Sequence, residues 1–171
     1  IHGFISITPL MQNFIDTSEF QRLRDLKQLG ATYFLFPSAT HTRFEHSIGV
    51  SHLAGNLMET LQKNQPRLKI TQREIEVTRI AGLIHDIGHG PFSHLYDEHI
   101  RNVSEDEHEV RGCKVFQSMV RKYKIPLTVE DVTQICMMVE PDKKRKNRWP
   151  YQIIANKMCQ SDVDKLDYIR R

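Results

Sequence analysis

The stretch Ala81–His94, AGLIHDIGHGPFSH, constrains this chain more than any other. Small and apolar residues lead into His85–Asp86, a glycine-punctuated turn follows, and His89 and His94 come after it. Adjacent His and Asp offer an imidazole nitrogen and a carboxylate oxygen side by side, which suits a divalent metal of intermediate hardness. Gly88 and Gly90 permit tight backbone paths, and Pro91 is placed to open a new helix. An isolated His-Asp pair would more often be a satisfied pair at a helix end. Three histidines and an aspartate interleaved with glycine and proline instead favour a ligand cluster, whose remaining ligands must come from elsewhere in the chain.

Apolar periodicity predicts an all-α fold of about eight helices with little strand. Phe14, Ile15, Phe20, Leu23, Leu26 and Leu29 recur at helical spacing, giving one or two helices over Leu10–Leu29 with Gly30 as C-cap. Ile1–Pro9 reads as a short strand or extended arm, and the aromatic run Tyr33–Phe36 as extended. A helix is expected from Arg43 to about Asn64, closed by Pro66. Thr71 with Glu74 forms a capping box for a buried helix that ends at His85–Asp86. Further helices are expected over Pro91–Ile100, Glu105–Lys122, Thr128–Val139, Pro150–Met158 and Asp162–Arg171.

The 171 residues fit one domain, 1–171, with a substantial core. A net charge of +3 leaves no strong nucleic-acid footprint in the total. The basic run Lys143–Arg148 could contact single-stranded nucleic acid, but a solvated loop is the simpler reading. No apolar run approaches membrane-spanning length, so no membrane partner is expected. The three cysteines are widely spaced and form no CxxC, which points to reduced thiols and an intracellular setting, nucleus or cytoplasm. The chain starts without Met and stops within a helical pattern, so a fragment of a longer catalytic domain is expected.

Two other segments carry chemistry. HTRFEHS places His41 and His46 around a basic residue and an acid at a helix start; SDVDKLDYIRR offers Asp162, Asp164 and Asp167 with Lys165 and Tyr168. Each alone reads as a solvated polar face. Together, His46, His85, Asp86 and Asp164 supply two nitrogens and two oxygens from three helices, a set for iron, manganese or zinc, with magnesium at a second site. A general acid or base must then lie outside the ligands, and His89, His94 and His108 are candidates. Arg43 and Lys165 could neutralise phosphate charge.

The spaced pattern H…HD…D resembles the HD phosphohydrolase superfamily. The blocks IHG, IDTSEFQRLRDLKQLG, HTRFEHSIGV, AGLIHDIGHGPFSH and SDVDKLDY resemble, within it, the catalytic core of the SAM-and-HD-domain deoxynucleoside triphosphate triphosphohydrolases. The resemblance implies a mostly helical HD fold and a metal-dependent enzyme that cuts a dNTP into deoxynucleoside and inorganic triphosphate. By position it implies His46, His85, Asp86 and Asp164 as metal ligands, His108 as a catalytic histidine, and His89 and His94 lining the same pocket. It implies sugar and base contacts from Gln28 and Leu29, and phosphate and sugar contacts from Arg43, Lys165 and Tyr168. It also implies a regulatory site for GTP or dGTP at Asp16, Gln21 and Arg24, with Leu35 and Phe36 nearby, and a homo-oligomer in the full-length form. An ordinary polar helix face accounts for Asp16, Gln21 and Arg24 equally well. Other HD phosphohydrolases act on nucleotide monophosphates or cyclic nucleotides, and a binding module without turnover is the alternative of a different class.

Overall fold

Threonine opens five of the helices in the computed structural model, which describes residues 1–91, 108–142, 144 and 148–171. Thr8 precedes α1 (Pro9–Ile15), where its side chain accepts from the Met11 N–H at 3.2 Å and Pro9 supplies a preset φ. Thr17 breaks the chain and starts α2 (Ser18–Gln21), donating to the Phe14 carbonyl at 2.6 Å and accepting from the Phe20 N–H at 3.2 Å. Thr42 opens α3 (Arg43–Asn64), its N–H bonded to Glu45 at 3.0 Å. Thr71 with Glu74 starts α4 (Gln72–Ile84), and Thr128 with Asp131 starts α6 (Val129–Val139), both as full capping boxes. Between them lies α5 (His108–Lys122), and Asp162 caps α7 (Val163–Arg170) by accepting from the Lys165 N–H at 2.9 Å.

The described residues thus form seven α-helices, short 3-10 turns and a single isolated bridge, Lys27 to Thr42. The all-α expectation holds. Residues 92–100 and 105–107, where one expected helix and the start of another fall, lie outside the described residues.

The centre is α3 against α4. On α3, Phe44, Ser47, Val50, Ser51, Ala54 and Met58 form one buried stripe at helical spacing. Ile75 and almost every residue from Val77 to Ile84 of α4 are buried. Ser51 donates from Oγ to the Arg79 carbonyl at 2.8 Å, so small residues bring the two backbones together. Phe14, Phe20, Leu23, Phe116, Met119 and Ile135 close the core around this pair. Burying such side chains contributes about 1.5–3 kcal/mol each before entropy is counted.

Two local expectations are corrected. Tyr33–Phe36 is not extended: Gly30–Phe34 is a 3-10 helix that begins at Gly30 with φ +55°. No strand among the described residues offers hydrogen bonds to this run, and local ones form, such as Leu35 N–H to the Thr32 carbonyl at 3.0 Å. Pro150–Met158 is not an α-helix either; only Trp149–Gln152 forms a 3-10 turn. Asn156 Oδ1 accepts from the N–H groups of Met158 and Cys159 at 3.1 and 3.2 Å, a side-chain alternative that outcompetes the helical ladder.

Candidate metal centre

Three helix ends converge. The first two turns of α3 carry Arg43 and His46, the C-terminal end of α4 runs into His85 and Asp86, and the first turn of α7 carries Asp164. The start of α3 is fixed by its Thr42–Glu45 cap, and that of α7 by Asp162. Arg22 grips the turn after Asp86, donating to the carbonyls of His89, at 2.9 Å, and Ile87.

His46 Nε2 lies 2.9 Å from Asp164 Oδ1 and 3.7 Å from Asp86 Oδ2. His85 Nε2 lies 3.5 Å from both Asp86 Oδ1 and Asp164 Oδ1. Two atoms each about 2.1 Å from one ion at about 90–110° stand about 3.0–3.4 Å apart. His46, His85 and Asp86 thus stand at a spacing that could hold a single metal, and Asp164 Oδ1 lies beside both histidine nitrogens. His85 Nε2 is buried and makes no hydrogen bond, which fits a nitrogen whose partner is an ion. The opposite nitrogens are oriented from behind. His85 Nδ1 donates to the Gly82 carbonyl at 2.7 Å, and His46 Nδ1 to Asp167 Oδ2 at 2.7 Å, so each ring aims Nε2 at the others.

Electrostatics bind the group together. Burial disfavours charge on Asp86, but His85, Arg43 and His89 outweigh it and hold the carboxyl well below its ordinary range. Burial likewise opposes protonation of His85, yet Asp86 and Asp164 push its pKa up to about 9. His46 is raised too, its bonds to Asp164 and Asp167 exceeding the burial penalty. His89 goes the other way. Burial drives it down to about 4 despite Asp86 beside it, so its imidazole is neutral near pH 7. The His89 ring stacks on His108, centroids 3.9 Å apart, and these two with Asp86 form a second group with metal-ligand spacing.

A cavity of about 880 Å³ opens over this floor. Gln28, Leu29, Arg43, Lys165 and Tyr168 all line it, together with His85, Asp86, His89, His108 and Asp164. Gln28 Oε1 is buried there without a hydrogen-bond partner. Arg43 donates to Asp86 Oδ2 at the floor. His94 and most of the Lys143–Arg148 run lie outside the described residues.

The residues expected to read a guanine nucleotide stand apart from the cavity. Asp16 accepts from Gln12 Nε2 at 2.5 Å. Gln21 donates to the Ile15 carbonyl at 2.7 Å and accepts from Arg24 Nε at 2.8 Å. The Arg24 guanidinium lies 3.5 Å from the Phe44 ring centre, and Leu35 and Phe36 are exposed. Asp167 is the residue for which sequence reasoning assigned no role. It is fully buried behind His46, and its only signal was its place one turn after Asp164.

No helix among the described residues is long and apolar enough to cross a membrane. Against known proteins, a family model described as "HD domain" matches residues 43–169. The whole chain aligns at 43% identity with 34% of a protein named deoxynucleoside triphosphate triphosphohydrolase SAMHD1 homolog from Dictyostelium discoideum. It aligns at 41% with 32% of deoxynucleoside triphosphate triphosphohydrolase SAMHD1 from Gallus gallus. A putative HD domain-containing protein of Acanthamoeba polyphaga mimivirus is 40% identical over the whole chain and 41% of its own length. The chain thus spans roughly a third of the length of the first two relatives. With the His and Asp positions of the matched segment drawn to one point by three helices, this chain belongs to the HD-domain family.

Proposed function

We propose that this chain is the catalytic core of a metal-dependent dNTP triphosphohydrolase. The observation that carries the reading is His85 Nε2, buried and unbonded among His46, Asp86 and Asp164, at the floor of a cavity large enough for a nucleotide. The names of the relatives supply the substrate class. A divalent metal held by these four side chains would lend Lewis acidity toward phosphoryl oxygens and lower the pKa of water. Iron, manganese or zinc suits two nitrogens and two oxygens, and magnesium, which prefers oxygen donors, would ride on the triphosphate at a second site.

Water adds to the α-phosphorus, the bond from phosphorus to the 5′ oxygen breaks, and triphosphate departs from the deoxynucleoside. The leaving 5′ oxygen needs a proton, and His108, at the cavity wall, donates it; His94 is the alternative donor. Neutral His89, stacked on His108, holds that ring in place without competing for the proton. Arg43 and Lys165 gather the triphosphate charge. Gln28, with an unpaired acceptor, meets a hydroxyl or amino donor at the nucleoside end, beside Leu29, and Tyr168 packs against the sugar.

A second nucleotide, GTP or dGTP, is read by Asp16, Gln21 and Arg24 in the longer homo-oligomeric protein, which works on nuclear or cytoplasmic dNTP pools. The support is that Asp16 and Arg24 are exposed, with Arg24 bonded to Gln21, so that a carboxylate, an amide and a guanidinium, groups that can pair with a guanine edge, lie on this part of the chain. If oligomeric state and rate ignore GTP and dGTP, that site is discarded.

The deciding experiment identifies the product formed from a dNTP with Mn²⁺. Inorganic triphosphate and deoxynucleoside are expected. Pyrophosphate or phosphate would overturn the reading in favour of a different HD phosphohydrolase, and binding without turnover would make the chain a binding module.

A further inference from the structure

Asp167 is shared. Its Oδ2 accepts from His46 Nδ1 at 2.7 Å and from Arg171 Nε at 2.6 Å, while Oδ1 accepts from His2 Nε2 at 2.5 Å. The carboxylate has no exposure, and the His2 side chain is 4% exposed. Behind it stands Gly49, where a β-carbon would lie 2.0 Å from Asp167 Oδ1. The acid is thus clamped on every side. A fourth, longer bond runs from Arg171 Nη2 to Oδ1 at 3.4 Å. His2 is the short donor on Oδ1, and without it that oxygen keeps only the long bond from Arg171.

His2 is the outlying donor. It sits in the irregular segment before α1, 165 positions from Asp167 in the chain. No backbone hydrogen bond outside the helices involves residues 1–7 among those formed by the described residues. The side chain of His2, bonded to Asp167 and tilted against the His52 ring at 5.7 Å, ties this arm to the centre of the domain. Arg171 ties the far end, donating also to the Glu45 carbonyl at 2.7 Å.

We infer that His2 is a positioning residue for the metal centre: donating to Asp167, it holds the carboxylate that holds His46 with Nε2 facing the ion. This rests on the metal reading above. Partners one step behind the ligands typically set metal affinity by about 10–100-fold. His2 acts through Asp167, so its effect must vanish once that carboxylate is changed.

The test titrates the metal-free chain with Mn²⁺ alone at fixed pH and follows thermal melting in parallel. His2→Ala should bind about tenfold more weakly or worse. His2→Gln, whose amide nitrogen reaches the place of Nε2, should bind nearly as the unaltered chain does, and the shorter His2→Asn should not. In an Asp167→Asn background, His2→Ala should add no further loss. Unchanged affinity in both His2→Ala and His2→Asn overturns the inference, as does a loss that persists undiminished in the Asp167→Asn background. If His2→Ala melts too low to assay, the Gln and Asn pair decides alone. If the unaltered chain binds no Mn²⁺, the metal reading falls and this one with it; normal binding with silent His2 variants sinks this one alone.

Discussion

The carbonyl oxygen of His108 lies 1.9 Å from where a β-carbon on Gly88 would sit. The turn after the His-Asp pair and the first turn of α5 therefore meet backbone to backbone. Arg111 reinforces the seam, donating from Nε to the Gly88 carbonyl at 3.1 Å. Gly88→Ala must push α5 outward and part His108 from His89. A misplacement of about 1 Å can cost about 10² in rate. We expect turnover to fall by that order while Mn²⁺ still binds, measured by steady-state kinetics beside a metal titration.

His108→Ala removes the proposed proton donor and leaves the four proposed metal ligands untouched. Loss of a general acid costs about 10²–10⁴ in rate. Turnover of a dNTP should drop within that range with metal and substrate binding retained. Near-normal turnover would pass the role to His94.

Asp86→Ala removes one proposed ligand, the carboxylate that faces Arg43, His85 and His89 together. In the unaltered chain, Mn²⁺ at a hundred times its dissociation constant should raise stability by about 2.7 kcal/mol through mass action. The variant should show no such rise, and a chelator should erase it in the unaltered chain. Differential scanning calorimetry with and without metal reads both outcomes.

Glu19 joins α2 to the end of α5. It accepts from Lys122 Nζ and from the Tyr123 hydroxyl, each at 2.8 Å. Burial opposes its charge, but these donors prevail and lower its pKa from 4.5 to about 2. A carboxyl lowered in the folded state stabilises above its unfolded pKa and stops doing so as pH falls through the folded one. The melting difference between the unaltered chain and Glu19→Gln should therefore be full at pH 7 and shrink between about pH 4.5 and pH 2. A difference that grows on acidification would contradict the assignment.

Much of the fold is legible locally. The caps at Thr71 and Thr128 and the span Arg43–Asn64 follow from side chains that satisfy nearby N–H groups and from apolar spacing, both encoded within a few residues. Tyr33–Phe36 misled for a physical reason. Aromatic β-propensity describes fit to a sheet, and no sheet exists among the described residues to receive it. Asn156 undid the helix expected over Pro150–Met158 because a side-chain acceptor three residues from a turn competes directly with the backbone.

For the site, sequence alone determined the chemical types and their order along the chain: histidine at 46, histidine and aspartate at 85 and 86, aspartate at 164. The charge of Arg43 and Lys165 marked them for phosphate, the family resemblance added Gln28, Leu29 and Tyr168, and all five line one cavity. Tertiary structure decided what stands behind the ligands. Periodicity places Asp167 on a helix face but does not say what that face meets. Only the packing of α7 on α3 turns it into the acceptor for His46, and only the path of residues 1–8 brings His2 to the same carboxylate. Local sequence rules act over one or two helical turns, whereas these bonds join residues 121 and 165 positions apart, so their partners are set by where whole helices dock.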